Sequence, residues 1–182
     1  MIINDIDFNF DEVAKLDISS LTDKVSPQMQ PFFFGEPGRE IYRLLAYFST
    51  KFEGSILTDI GTAYGDSALA LSFNANNKIN TFDIVEQITL KKDNVNFIKD
   101  DPINNKDLIL SSPFLYVDTV HDGSYEYDLY NFLVEIGYKG YVLFDDIHLN
   151  ANITYFFNSL EIEKYDLTAI GHWTGTGMIV FK

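Results

Sequence analysis

Five strand-like runs of this chain end in aspartate: at Asp59, at Asp83, at Asp100-Asp101, at Asp118 and at Asp145-Asp146. One such aspartate is ordinary, because Asp is common at strand ends and helix caps. Five in succession point to a shared ligand site. Asp118, Asp145 and Asp146 come from neighbouring runs, and three crowded carboxylates repel. Each pair at ~4 Å costs about 1 kcal/mol in water and about 4 at an effective dielectric near 20. Such a trio needs protonation, a basic partner or a metal. The chain has only 13 Lys and Arg, none of them in either loop. Oxygen ligands in an open geometry suit Mg²⁺, with Mn²⁺ or Ca²⁺ as alternatives. Adjacent strand residues face opposite ways. Asp145 and Asp146 therefore share an ion only if the strand has already turned there; otherwise Asp146 caps the next segment. His121 follows Asp118 by three residues, in Asp-Thr-Val-His-Asp-Gly-Ser-Tyr. A histidine there can take a proton from a hydroxyl near neutral pH, and a nearby cation makes that easier. Its plainer reading is a loop histidine capping the following helix. His148 and His172 fall beyond later strands and are weaker candidates; histidine ligation would shift the metal preference toward iron or zinc.

A second cluster is Leu57-Thr58-Asp59-Ile60-Gly61-Thr62-Ala63-Tyr64-Gly65-Asp66-Ser67. It reads as a buried strand ending in an acid, a glycine-hinged turn and a helix start. Gly61 lets the backbone turn sharply and approach a ligand closely, and Gly65 clears room where the helix begins. The helix start offers free N–H groups to a carboxylate. The dinucleotide fingerprint requires G-x-G-x-x-G. Here a glycine is missing and the acid precedes the loop, which favours the loop that many S-adenosylmethionine (SAM) enzymes wrap around the cofactor's amino-acid end. Asp83 lies near the spacing at which an acid grips a ribose hydroxyl pair.

Strand and helix signals alternate along the chain that must position these groups. The patterns predict strands at 55–59, 79–83, 95–99, 114–118, 141–145, 165–171 and 178–181. They predict helices within 38–52, at 66–73, 125–136 and 153–160, a brief helix within 103–110 and a weak one at 85–90. Such alternation implies a mostly parallel seven-stranded sheet, doubly wound and Rossmann-like, with helices on both faces. Too few residues separate the last two strands for a crossover helix, so they form a C-terminal antiparallel hairpin. Ligands of such sheets bind beyond the carboxyl ends of the strands, where the aspartates lie. Residues 1–37 read as a lead-in segment punctuated by prolines, and 38–182 as the catalytic domain. Phe32-Phe33-Phe34 could line a substrate mouth or pack the lead-in against the core.

At 182 residues and 46% hydrophobic, with 16 Phe and 11 Tyr, the chain is a globular domain. It has no cysteine, which excludes disulfides, thiolate catalysis and cysteine-based zinc sites. A net charge of −14 disfavours nucleic acid and attracts cations, the sulfonium of SAM included. No apolar run is long enough for a membrane span, and the first ten residues contain acids and no base, unlike a secretory signal. The expected location is cytoplasmic, with no membrane partner. The aromatic lead-in could bury against a second subunit in a homo-oligomer.

Together, residues 59–67, Leu-Tyr-Val-Asp-Thr-Val-His-Asp-Gly-Ser-Tyr (115–125), Val-Leu-Phe-Asp-Asp-Ile (142–147) and Gly-Thr-Gly-Met-Ile-Val-Phe (175–181) resemble the class I SAM-dependent methyltransferases. The similarity is greatest to the branch of macrocin-type sugar O-methyltransferases and cephalosporin hydroxylase-like proteins, and covers about residues 38–182. The resemblance implies Mg²⁺-dependent O-methyl transfer to a small hydroxylated acceptor such as a sugar. It implies metal ligands Asp118, Asp145 and Asp146, with His121 as base beside Asp118. It implies SAM contacts at Asp59, Gly61, Thr62, Gly65 and Ser67, at Asp83 on the ribose and at Asp101 near the adenine. Thr119-Val120 stands where many of these proteins have Gly-Asp. Two other functions fit the same residues: a catalytically silent SAM-fold binding protein, and an iron-dependent hydroxylase using the histidines.

Overall fold

The computed structural model describes residues 2–3 and 6–182. A short antiparallel pair, β1 (Ile2–Ile3) and β2 (Ile6–Asp7), leads into α1 (Phe10–Lys15), a 3-10 turn at Ser19–Lys24 and α2 (Gln30–Phe33). Then come α3 (Tyr42–Lys51), β3 (Ile56–Ile60), α4 (Asp66–Leu71), β4 (Lys78–Phe82), β5 (Val95–Ile98), a 3-10 turn at Pro102–Asn104, and α5 (Lys106–Leu110). The chain finishes with β6 (Phe114–Val117), α6 (Ser124–Glu135), β7 (Gly140–Asp145), α7 (Ala151–Ser159), β8 (Glu163–Asp166) and β9 (Thr176–Phe181).

Seven strands form one sheet in the order β5-β4-β3-β6-β7-β9-β8. The first five are parallel; β9 runs antiparallel to both β7 and β8. The chain winds outward from β3 to β5, then crosses back to β6, so β3 and β6 flank the point where winding reverses. β6 is buried along its whole length, as the continuous run Phe114-Leu115-Tyr116-Val117 requires of a central parallel strand. One face of the sheet packs on α3 and α4, through Leu44, Leu45, Phe48 and Leu69. The lead-in joins this core through Phe8, Val13, Ile18 and Phe33. The other face packs on α6 and α7, through Leu129, Leu133, Ile153 and Phe156. Asn150 caps α7 by accepting the Asn152 and Ile153 N–H groups at 2.9 and 3.2 Å.

Three local expectations move, and one open alternative is decided. Residues 85–90 form no helix; Ile88 and Leu90 instead close over Gly65, and the Thr89 N–H donates to the Tyr64 carbonyl at 3.2 Å. The helix expected from residue 38 starts at Tyr42, because Gly38 takes a left-handed φ of 85° against the Ala169 carbonyl. The sixth strand ends at Asp166, since Leu167 begins a turn that accepts the Ile170 and Gly171 N–H groups. Phe33 stacks on Tyr42 with centroids 4.4 Å apart, so the Phe32–Phe34 cluster packs inward at its centre while Phe32 stays exposed. No described helix is long and apolar enough to cross a membrane.

Candidate active site

The carboxyl ends of β3, β6 and β7 open into a cavity of about 300 Å³. Gly61, Thr62, Ala63, Tyr64, Asp66 and Ser67 line one side. Tyr116, Asp118, Asp145, Asp146 and His172 line the other, and Met29, Glu40, Ile41 and Tyr42 complete the wall. A larger depression beside α1, about 590 Å³, is lined by Asp11, Glu12, Lys15 and Tyr47 and gathers no comparable set of chemical groups.

Strand pairing sets the first side. The Gly61 N–H donates to the Phe82 carbonyl at 2.9 Å and the Asp118 N–H to the Ile60 carbonyl at 2.8 Å, so the tips of β3, β4 and β6 are stitched together. Gly61 has φ 101°, and a Cβ there would lie 1.6 Å from the Asp118 carbonyl oxygen. The missing side chain thus admits the neighbouring strand's backbone. At Gly65, φ 99°, a Cβ would lie 2.8 Å from Leu90 Cβ. Asp59 is fully buried: Thr81 donates to its Oδ2 at 2.6 Å and is itself 2.6 Å from the Thr62 hydroxyl, while Oδ1 has no hydrogen bond among the described residues. Burial pushes the Asp59 carboxyl up to about 7; the Thr81 and Ser67 hydroxyls pull it down only in part, and Asp118 and Asp83 add to the rise. Asp83 accepts the Ala63 N–H at 3.0 Å and the Val85 N–H at 2.9 Å. A carboxylate has further lone pairs, so it retains capacity for a ribose. Asp101 caps the Pro102 turn through the Ile103 N–H at 3.0 Å and accepts the Tyr125 hydroxyl at 3.2 Å. Asp66 faces the lead-in: the Ser26 N–H and hydroxyl donate to its carboxylate at 2.8 and 2.6 Å.

A folded-state carboxyl raised above its unfolded value holds a proton that the unfolded chain has lost. Its stabilising contribution is complete below the unfolded pKa, near 4, and is lost as pH rises through the folded value near 7. Asp59→Asn removes that dependence. Its stability relative to the native chain is expected to rise between pH 4 and pH 7, by roughly 4 kcal/mol at most. Urea unfolding of both proteins across that range measures it; a flat difference would show that Asp59 is not held protonated.

The second side is a network of acids and imidazoles. Asp146 has φ 60°, so the strand has turned at this residue and both carboxylates of the pair reach the cavity. Tyr116 donates to Asp145 Oδ2 at 2.9 Å and lies 3.5 Å from Asp118 Oδ2. His121 Nε2 is 3.0 Å from Asp118 Oδ1 and 3.4 Å from Asp146 Oδ2. Burial works to lower the His121 pKa, but the hydrogen bond and charge of Asp118, with Asp146 and Asp145 behind it, raise it overall. The Asp145 carboxyl is pushed up, chiefly by burial. Burial also works to raise Asp146, yet the His172 and Thr174 hydrogen bonds hold it below the usual range. His172 Nδ1 lies 3.4 Å from Asp145 Oδ1 and 3.2 Å from Asp146 Oδ1; against the effect of burial, these acids raise its pKa to about 10.

Asp145, Asp146 and His172 offer ligand atoms that all lie within 4.8 Å of one another. Asp118 is tied to this group through His121 and Tyr116. Asp145 Oδ1, in a side chain only 5% exposed, makes no hydrogen bond among the described residues. A buried carboxylate oxygen that makes no hydrogen bond and only an ion pair with His172 at 3.4 Å, beside a second acid, is a donor set that fits a divalent cation. His148 instead pairs with Asp166 on the surface, at 2.9 Å. Glu126 was not legible as a site residue, yet it is buried and shapes the His121 loop. It accepts the His121 N–H at 3.1 Å, the Gly123 N–H at 2.9 Å and the Thr119 hydroxyl at 3.0 Å. Its signal in the sequence is the acid three residues after a helix cap, a capping-box arrangement. Tyr116 was hidden in an apolar run and carries no such signal.

No protein-family model and no curated protein sequence matches the chain. Solved structures share its backbone fold. The SAH-bound methyltransferase of Podospora anserina aligns with a TM-score of 0.59 at 17% identity, over 95% of this chain and 86% of that one. The Bacillus cereus O-methyltransferase in complex with SAH aligns at 0.55 and 15% identity, over 95% and 90%. Cofactor-bound Rv0187 from MTB aligns at 0.60 and 13%, over 94% and 86%. With the strand order and the reversal of winding between β3 and β6, these likenesses establish that the chain has the fold of the class I SAM-dependent methyltransferases.

Proposed function

We propose that this chain is a SAM-dependent O-methyltransferase that acts on a small hydroxylated acceptor, such as a sugar, with a divalent cation, Mg²⁺ first among them. The observation that carries the reading is one cavity walled on one side by the Gly61–Ser67 loop and on the other by Asp118, Asp145, Asp146 and His172. Asp59, Gly61, Thr62, Gly65 and Ser67, with Asp83 and Asp101, are the residues assigned to SAM. Asp118, Asp145 and Asp146 are those assigned to the cation. When bound, SAM supplies an electrophilic methyl group and the cation supplies charge that acidifies a hydroxyl.

The chain's own residues then position and deprotonate. The stitched tips of β3 and β6 hold the loop and the acid cluster at fixed separation, so much of the acceleration comes from orientation. His121, whose Nε2–H faces Asp118 and Asp146, receives the acceptor's proton at its other ring nitrogen, Nδ1, and the two carboxylates stabilise the imidazolium. Tyr116, held by Asp145, orients that carboxylate from below.

Calorimetry with SAM, followed by a methyl-transfer assay on a panel of sugars and catechols with Mg²⁺ or a chelator, tests the proposal. Binding of SAM and chelator-sensitive transfer are expected. Absence of SAM binding at millimolar concentration would end the methyltransferase reading; chelator-insensitive transfer would end the role of the cation.

A further inference from the structure

We propose that His172 is a metal ligand, joining Asp145 and Asp146 so that the cation rests on a mixed nitrogen and oxygen donor set. The inference rests on the reading that the site holds a divalent cation.

The contacts have the spacing of a coordination shell. Cis donors about 2.1 Å from a metal lie roughly 3 Å apart. His172 Nδ1 stands 3.2 Å from Asp146 Oδ1 and 3.4 Å from Asp145 Oδ1. The same nitrogen is 3.0 Å from the Thr174 hydroxyl, which also contacts Asp146 Oδ1. A single Nδ1 proton serves one acceptor well, not three. Among the described residues it leaves Asp145 Oδ1, buried and facing the cavity, without a hydrogen bond. Loss of the Nδ1 proton to solvent on cation binding frees the ring's lone pair, so that one ion would satisfy it and both carboxylate oxygens together. Asp145 and Asp146, the two of the three assigned carboxylates that lie with His172, balance the charge of a divalent ion, and a neutral imidazole adds a ligand without adding charge.

The segment that carries the ring is also held in place. The His172 backbone N–H donates to the Thr176 hydroxyl at 2.7 Å. The pairing of β7 with β9 continues past Asp145, with the Ile147 N–H on the Gly175 carbonyl at 3.3 Å and the His148 N–H on the Thr174 carbonyl at 2.8 Å. This extension brings residues 172–174 against Asp146. An imidazole ligand moves preference away from Mg²⁺ and Ca²⁺ toward Co²⁺, Fe²⁺ or Zn²⁺, while the two carboxylates still suit Mn²⁺.

The test uses the full chain stripped with chelator and titrated with Mn²⁺, with electron spin echo spectroscopy to detect a coordinated ¹⁴N. The expected result is nitrogen modulation in the native protein and in His148→Ala and His121→Ala, lost in His172→Ala. By calorimetry, His172→Asn is expected to lower the preference for Co²⁺ over Mg²⁺ by about tenfold. Mn²⁺ binding without nitrogen modulation, modulation that survives in His172→Ala, or modulation lost in His121→Ala would each overturn the assignment. Failure to bind Mn²⁺ would also overturn it, leaving His172 as an imidazolium clamp between the two acids. If His172→Ala does not fold, the native and His121→Ala spectra decide. SAM calorimetry on the same samples separates the two readings. Retained SAM binding without nitrogen modulation sinks only the ligand, and modulation without SAM binding sinks only methyl transfer.

Discussion

Gly61→Ala is expected to destabilise the fold by about 3 to 5 kcal/mol and to abolish binding of SAM. The new Cβ would lie 1.6 Å from the Asp118 carbonyl oxygen and 2.7 Å from its carbon, and both obstacles are backbone. Relief requires β3 and β6 to part at their tips, where the Asp118 N–H holds the Ile60 carbonyl. The left-handed φ adds its own cost. Gly54→Ala provides the control. Gly54 also has a positive φ, 71°, but a Cβ there meets nothing within 4 Å, so only the conformational term, about 1 to 2 kcal/mol, applies. Urea unfolding of both variants measures the difference. Equal losses would show that the strand tips are not packed as described.

Asp118→Ala is expected to reduce turnover by at least about a hundredfold while SAM affinity changes little. Asp118 holds His121 Nε2 at 3.0 Å and contacts the Tyr116 hydroxyl, so its loss frees the proposed base and removes one assigned cation ligand together. The loop residues on the opposite wall keep their own partners: Thr62 its contact with Thr81, and Ala63 its bond to Asp83. Separate measurements of kcat and of SAM binding by calorimetry check this. Turnover that persists in the variant with chelator present would remove Asp118 from the chemistry.

Local pattern determined a great deal here. Apolar runs of four to six residues in alternation with helical spacing predict a doubly wound sheet, and the short link between the last two strands predicts their antiparallel pairing; both are observed. Each run's apolar character stops at or beside its aspartate, which sets the acids at the strand ends; Asp59 differs by one residue, since β3 runs on to Ile60. These features need only neighbours in the chain, which is why they can be read from it. Residues 85–90 show the opposite case: a weak helical pattern gave way to contacts of Ile88 and Leu90 with Gly65, distant in sequence.

The architecture, the edge of the sheet on which the acids collect and the special place of Gly61 are all legible in the linear chain. Tertiary structure alone decided which groups meet. It turned the backbone at Asp146 so that two adjacent carboxylates face one cavity, carried His172 to them on the extended β7–β9 pairing, and sent His148 to Asp166 on the surface. It also recruited Tyr116 and Glu126, which look like core and helix in the linear chain. Strand ends follow from local composition. The convergence of side-chain oxygens and nitrogens to about 3 Å follows from turn geometry and strand pairing between distant segments.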